Sequence, residues 1–199
     1  MSIKQDIADF WVCKDWYTNA RKELYDLYGG DAVLMALCLA ATSPRQTVKT
    51  NWTKAKAALK RIKKDRANAY FGDYLLAHRK NLEKIRDAHR HSSNLPLLTA
   101  DILSGRKVQS FAYNLLGDYG RVTVDMWMLS YFNRESATAK VYDYIEKRIQ
   151  TIAPQYGLFP AELQAILWSA ERARFGYKPA TFLIASIEDH QTLFDFMED

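Results

Sequence analysis

Lys107 and Asp125 are the residues whose types and spacing could carry covalent chemistry in this chain. Lys107 follows a glycine in "SGRKVQSFAYNLL", and Asp125 closes the short β-branched run "VTV". Both stand at the starts of predicted helices. An amine attacks carbon only when neutral, and the positive end of a helix dipole disfavours the ammonium, so a lysine there is expected to titrate low. A carboxylate nearby would stabilise a cation forming beside it. Each residue also has a plainer role. Asp125 is placed to N-cap the helix opening at Met126, and Lys107 could contact a phosphate or solvent.

Ser104, Gly105 and Arg106 join two short predicted helices, 97–103 and 107–116. A tight glycine-containing turn exposes backbone N–H groups at the start of the second helix, and these favour a phosphate. The three residues are therefore candidate phosphate contacts, although many such hairpins bind nothing. Trp52, Tyr113, Trp127 and Trp168 offer faces on which a base could stack, and residues of this kind also serve as core. His78, His89, His91 and His190 do not combine with acids at ligand spacing, and Cys13 and Cys38 stand apart. No metal site and no cofactor are expected, and the two thiols read as buried and reduced.

The elements that must position these residues are helical almost throughout. Ile3, Ile7, Phe10 and Trp11 recur at helical spacing, continued by Leu24, Leu27 and Tyr28. "YGGD" breaks the pattern, and Asp31 is placed to cap the apolar helix "AVLMALCLAA" that follows. Pro44 ends that helix. A basic helix is predicted over 47–64, with Trp52, Ala55, Leu59 and Ile62 inward. A second is predicted over 70–89, with Leu75, Leu76, Leu82 and Ile85 inward. Further helices are expected over 125–131, 137–152 and 160–174. The only strand signal is "VTV", so the expected fold is all-α with about ten helices.

A chain of 199 residues, 48% hydrophobic, can bury the core of one compact domain or of two small lobes, which excludes disorder as its main state. The apolar run at 32–41 is about half of the ~20 residues a membrane span needs, so it reads as a buried helix and no membrane partner is expected. "MSIKQDIADFW" has no signal-peptide pattern, so a cytoplasmic location is expected. The net charge of +5 is uneven: residues 45–90 carry fourteen Lys or Arg against four acids. That middle points to a polyanion, DNA or RNA first, the bland alternative being solvated helix faces such as "KRIKKDR".

In order and spacing, "DILSGRKVQSFAYNL" followed by "VTVDMWM" resembles the helix-hairpin-helix DNA glycosylases of the endonuclease III type. Their pattern is a hairpin close to L-P-G-x-G-x-K, a helix, a short loop, and an apolar run ending in aspartate. The lysine-to-aspartate spacing agrees with the bifunctional glycosylase/AP lyase members. "LMALCLAATSPRQTVKTNWTKA" looks like that family's apolar helix followed by a turn with a DNA-probing glutamine. "YDYIEKRIQTIAPQYGLFPAELQAILWSAERARFGYKP" looks like the two helices after the aspartate. The likeness covers about 31–179. It departs at the hairpin, where Gly105 is the single glycine, Leu103 stands at the other glycine position and Ile102 replaces the proline. It departs again at Met126-Trp127 after the aspartate. The four-cysteine iron–sulfur loop is missing, so no cluster is expected; the tail is expected to fold back as a helix on Phe182, Leu183, Ile187, Leu193 and Phe194.

The resemblance implies one glycosylase-like domain over 1–199 with a helix-hairpin-helix motif at about 97–116. It implies lobes at 31–130 and at 1–30 with 131–199, and a base pocket opening between them near Lys107 and Asp125. It implies a base-excision enzyme that extrudes its base, cleaves the glycosidic bond and nicks the abasic site by β-elimination through a Schiff base on Lys107. Asp125 would stabilise the cationic sugar. Gln46 would probe the duplex, flanked by Arg45 and Lys49 on phosphates. The implied partner is double-stranded DNA carrying a damaged, modified or abasic nucleotide, met by a nucleoid-associated monomer. Two other readings stay open. One is a glycosylase-fold enzyme of phage-type DNA base hypermodification, for which the altered hairpin and "DMW" leave room. The other is a DNA-binding module without catalysis.

Overall fold

The structure, a computed structural model, describes residues 2–91 and 99–178. Among them are nine α-helices and no strand, so the protein is all-α. In chain order these are α1 (Ile3–Asp9), α2 (Trp16–Tyr28), α3 (Ala32–Thr42), α4 (Val48–Lys64), α5 (Leu76–His91), α6 (Arg106–Leu116), α7 (Met126–Tyr131), α8 (Ala139–Ile152) and α9 (Pro160–Arg174). Positions 97 and 98 of the expected hairpin, and the whole expected tail helix with Phe182 through Phe194, lie outside the described residues.

Two compact units divide the described chain, 2–21 with 104–178 and 22–91 with 99–103. The expected lobes were drawn differently: α6 and Asp125 fall with α8 and α9 rather than with the central helices. Helix α6 is tied to α8 by Tyr142, whose hydroxyl is hydrogen-bonded to that of Ser110 at 3.3 Å, and by Arg106 on Asp143, and the residues around Asp125 share a core with α8 and α9. Val122, Val124, Met128 and Leu129 pack in one apolar cluster with Tyr142, Ile145 and Ile149 of α8, with Leu163, Ile166 and Leu167 of α9, and with Ile7 of α1. A polar network joins α1, α7 and α9. Arg174 donates to both oxygens of Asp6, at 2.9 and 2.8 Å, and to Glu171 at 2.5 Å. Tyr131 donates to Asp6 at 2.6 Å and Ser130 to Glu171 at 2.5 Å, which fastens the end of α7. Both carboxylates are buried and both are satisfied, as buried charges must be.

In the second unit α3 is apolar all round and buried all round, the pattern of a helix enclosed on every side. It packs against α4 and α5. Asp31 stands at its N-cap position without a side-chain capping bond, because its carboxylate pairs with Lys63 instead. The predicted helix over 70–89 starts only at Leu76. Arg61 binds both oxygens of Asp73 (2.5 and 2.7 Å) and the carbonyl of Tyr70 (3.0 Å), and Tyr74 donates to the carbonyl of Lys54 (2.9 Å). These bonds hold residues 70–74 as a turn along α4. The turn after α3 is held from within. Thr42 donates to Asn51 at 2.6 Å, Asn51 donates to the Leu39 carbonyl at 3.1 Å, and the fully buried His78 donates through Nε2 to the Pro44 carbonyl at 2.7 Å. His78→Ala removes that buried donor, and we expect a loss of about 1–3 kcal/mol in urea unfolding; an unchanged midpoint would show that the turn does not depend on it.

Candidate active site

Helix α6 begins where only glycine is at ease. Gly105 is its N-cap residue, with φ +95°, a value that side chains other than glycine rarely adopt. At the other end Gly117 takes a left-handed conformation, and the Asp118 N–H bonds the Tyr113 carbonyl at 2.9 Å. The expected first helix of the hairpin is represented among the described residues by a single 3-10 turn, Ala100–Ile102. Ser104, Gly105 and Arg106 are exposed. The Arg106 guanidinium lies 4.2 Å over the Tyr142 ring and pairs with Asp143 (2.5 Å) and Glu146 of α8. The guanidinium expected on a phosphate is thus held by two carboxylates here.

Lys107 is the second residue of α6 and half-buried. Burial pushes its ammonium below the ordinary lysine range, and the charge of Asp125 pulls partly back up. The sequence reading expected a low-titrating lysine from the helix dipole; here removal from water is the larger cause. Asp125 caps α7. Its Oδ1 accepts from the Met128 N–H at 3.0 Å and its Oδ2 from the Trp168 indole N–H at 2.8 Å. Both carboxylate oxygens therefore have fixed directions. The capping role and a catalytic role are compatible, because capping occupies one oxygen.

Aromatic rings connect the two groups. Phe111 follows Lys107 by one turn of α6 and so shares its side. Its ring centroid is 6.1 Å from that of Trp16, and Trp16 is 6.4 Å from Trp168. Arg172, one turn along α9 from Trp168, lies over three rings: Trp168 at 4.4 Å, Tyr177 at 4.7 Å and Trp127 at 5.6 Å. Of the four proposed stacking residues, Trp127 and Trp168 join this assembly. Tyr113 lies under Arg121 at 4.7 Å. Trp52, in the other unit, is 4% exposed and packs edge-on to Tyr28, which makes it a core side chain. Gln46, Arg45 and Lys49 also belong to that unit. Arg45 is exposed with φ +57°, the Gln46 amide donates to the Arg45 carbonyl at 2.5 Å, and Lys49 lies in the first turn of α4.

Two buried residues that the sequence did not single out set the approach to Asp125. The Tyr142 hydroxyl donates to the Val122 carbonyl at 2.7 Å and accepts from the Val124 N–H at 3.3 Å. Asn114 is fully buried. With its amide turned to suit its neighbours, it donates to the Asp118 (2.8 Å) and Arg121 (3.2 Å) carbonyls and accepts from Thr123 at 3.2 Å. A tyrosine on α8 and an asparagine on α6 carry no motif; only amphipathic position could have marked them. An open cavity of about 630 Å³ lies at the far end of α7, lined by Ser130, Tyr131, Phe132, Tyr144 and Arg148 among others. Its Glu171 and Arg174 are paired with each other. Among the described residues no group of three His, Cys, Asp or Glu is placed to hold a metal.

What fold and site define is an all-α protein with, in one unit, a half-buried lysine and an aspartate whose two oxygens each accept a hydrogen bond. Residues 7–175 match the family described as "Family of unknown function (DUF7178)", and the chain belongs to that family. No curated protein and no solved structure matches it.

The electrostatic pairing has a signed consequence. Asp125→Asn removes the charge that raises the Lys107 pKa and leaves its burial, so the Lys107 midpoint moves further down. Titration of ¹³C-methylated lysines by NMR reads this directly. A midpoint that stays put or rises would separate the two residues.

Proposed function

We propose that this protein is a DNA base-excision enzyme, a glycosylase with lyase activity, in which Lys107 is the nucleophile and Asp125 the electrostatic partner. The observation that supports this most is the Lys107 amine, held partly out of water so that its neutral form is reached below the ordinary lysine range, with Asp125 acting on it. In the proposed reaction the neutral amine attacks the sugar carbon bearing the base. The carbon–nitrogen bond to the base breaks, its electron pair leaves with the base, and the base gains a proton. The sugar ring opens as its oxygen takes up a proton and a Schiff base forms to the lysine. Loss of the proton on the adjacent sugar carbon then expels the 3′ phosphate, and water releases the enzyme. Positive charge builds on the sugar as the base departs, and an ionised Asp125 with both oxygens oriented stabilises it without reorganising.

Duplex DNA carrying a damaged, modified or abasic nucleotide is the proposed partner. Arg45, Gln46 and Lys49 contact the duplex, as do the backbone N–H groups of Ser104 and Gly105. Arg106 reaches a phosphate only by leaving Asp143 and Glu146.

Borohydride trapping on a duplex with one abasic site tests the reading. Wild type and Asp125→Asn are expected to form a covalent adduct with this base-free site, since Asp125 acts while a base departs, and Lys107→Ala none. The wild-type trapping rate should rise with pH through a midpoint below about 10.4, the free lysine value. No adduct with wild type, despite measurable DNA binding, would reject the Schiff-base chemistry and leave a non-catalytic DNA-binding module.

A further inference from the structure

Helix α4 carries seven cations and no acid in its 17 residues, "VKTNWTKAKAALKRIKK". At 100° per residue, Lys49, Lys56, Lys60 and Lys63 fall within about 60° of one another around the axis, with Lys64 beside them. The buried side, Trp52, Ala55, Leu59 and Ile62, is centred about 100° round the axis and borders the stripe at Trp52. Lys56, Lys60, Lys63 and Lys64 are exposed, and Lys49 is half-buried. Lys63 pairs with Asp31, whereas no carboxylate pairs with Lys56, Lys60 or Lys64 among the described residues.

Such a stripe works against its own helix. Lys56–Lys60 and Lys60–Lys64 are like charges four residues apart, an arrangement that destabilises a helix. Helix α5 in the same unit handles its cations in the usual way, with Arg79 beside Glu83 at 3.9 Å and Arg86 beside Asp87 at 2.8 Å. The helix dipole accounts for basic residues in the last turn, Arg61, Lys63 and Lys64, but not for Lys49, Lys56 and Lys60 further back. The stripe runs roughly 21 Å along the axis at 1.5 Å per residue. Over a comparable length a DNA duplex presents one negative charge about every 1.7 Å.

We infer that the outer face of α4 is a docking surface for the phosphate backbone of double-stranded DNA, with Lys56, Lys60 and Lys64 as its sequence-independent contacts. It rests on the DNA partner of the proposed function but not on its chemistry. Each phosphate neutralised releases counterions, so each lysine adds about 0.9 to the slope of log affinity against log salt.

The experiment measures binding of the full chain to an undamaged fluorescent duplex by anisotropy, from low to moderate KCl. The variants are the triple change K56Q/K60Q/K64Q and, as control, K22Q, whose lysine pairs with Asp26. The triple variant should show a slope shallower by about 2–3, K22Q the wild-type slope. Because its like-charge repulsion is relieved, the triple variant should also melt no lower than wild type. A slope within about 0.5 of wild type overturns the inference. So does a triple variant that melts well below wild type, which would make the lysines structural. Wild type that ignores the duplex but binds phosphatidylserine-containing vesicles through these lysines overturns it in favour of a membrane. Wild type that traps no abasic site yet keeps the steep, lysine-dependent slope overturns the lyase reading alone.

Discussion

The hydroxyl of Tyr142 donates a hydrogen bond to the Val122 carbonyl and accepts one from the Val124 N–H, and the geometry around Asp125 depends on that pair of hydrogen bonds. Residues 122–124 are buried and outside any helix, with no strand among the described residues to pair their backbone. Unpaired buried backbone groups are costly, so one side chain from α8 supplies what a neighbouring strand would have supplied. With Val122 and Val124 locked into the apolar cluster, Asp125 can only emerge at the head of α7. There one oxygen caps the helix and the other meets Trp168. Asn114 holds the preceding loop by the same device, a buried amide serving backbone carbonyls. The site is therefore positioned from below, by polar side chains that never reach its surface.

Lys107 is the costly element of this arrangement. Taking an ammonium partly out of water disfavours its charge, and the field of Asp125 returns only part of what is lost. A protein selected for stability alone has no use for a lysine at that position. Under the proposed chemistry the neutral amine is the reactive form, and partial burial favours it. Trp16 packs between Phe111 of α6 and Trp168 of α9, and Arg172 lies over the Trp168 ring. The lysine amine is held partly out of water, and each aspartate oxygen accepts one hydrogen bond.

A similar tension appears in α4, away from any chemistry. Its lysines repel one another where alternation with acids would have strengthened the helix, and α3 must anchor it through Trp52, Ala55, Leu59 and Ile62. The DNA docking inferred for this face would offset that repulsion with phosphate charge.

Helical periodicity, the apolar run of α3 and the cap at Asp125 were legible in the sequence, because each is a local matter of spacing and short-range hydrogen bonding, whereas Asp31, read as a cap by the same logic, pairs with Lys63 instead. The residue types of Lys107 and Asp125, the glycine before one helix and the β-branched run before the other were legible for the same reason. Tertiary structure alone decided the rest. Trp168 lies far along the chain from Asp125, and nothing local marks it as the donor to that carboxylate. Arg106, read as a phosphate contact from its turn, is claimed by Asp143 and Glu146 because α8 packs beside it. The start of α5 shifted from 70 to Leu76 because Arg61 of α4 reaches Asp73 and the Tyr70 carbonyl. The depth of Lys107 is likewise a property of what packs around it. Sequence spacing specifies which residues share a helix face, whereas burial and long-range hydrogen bonds depend on which faces meet.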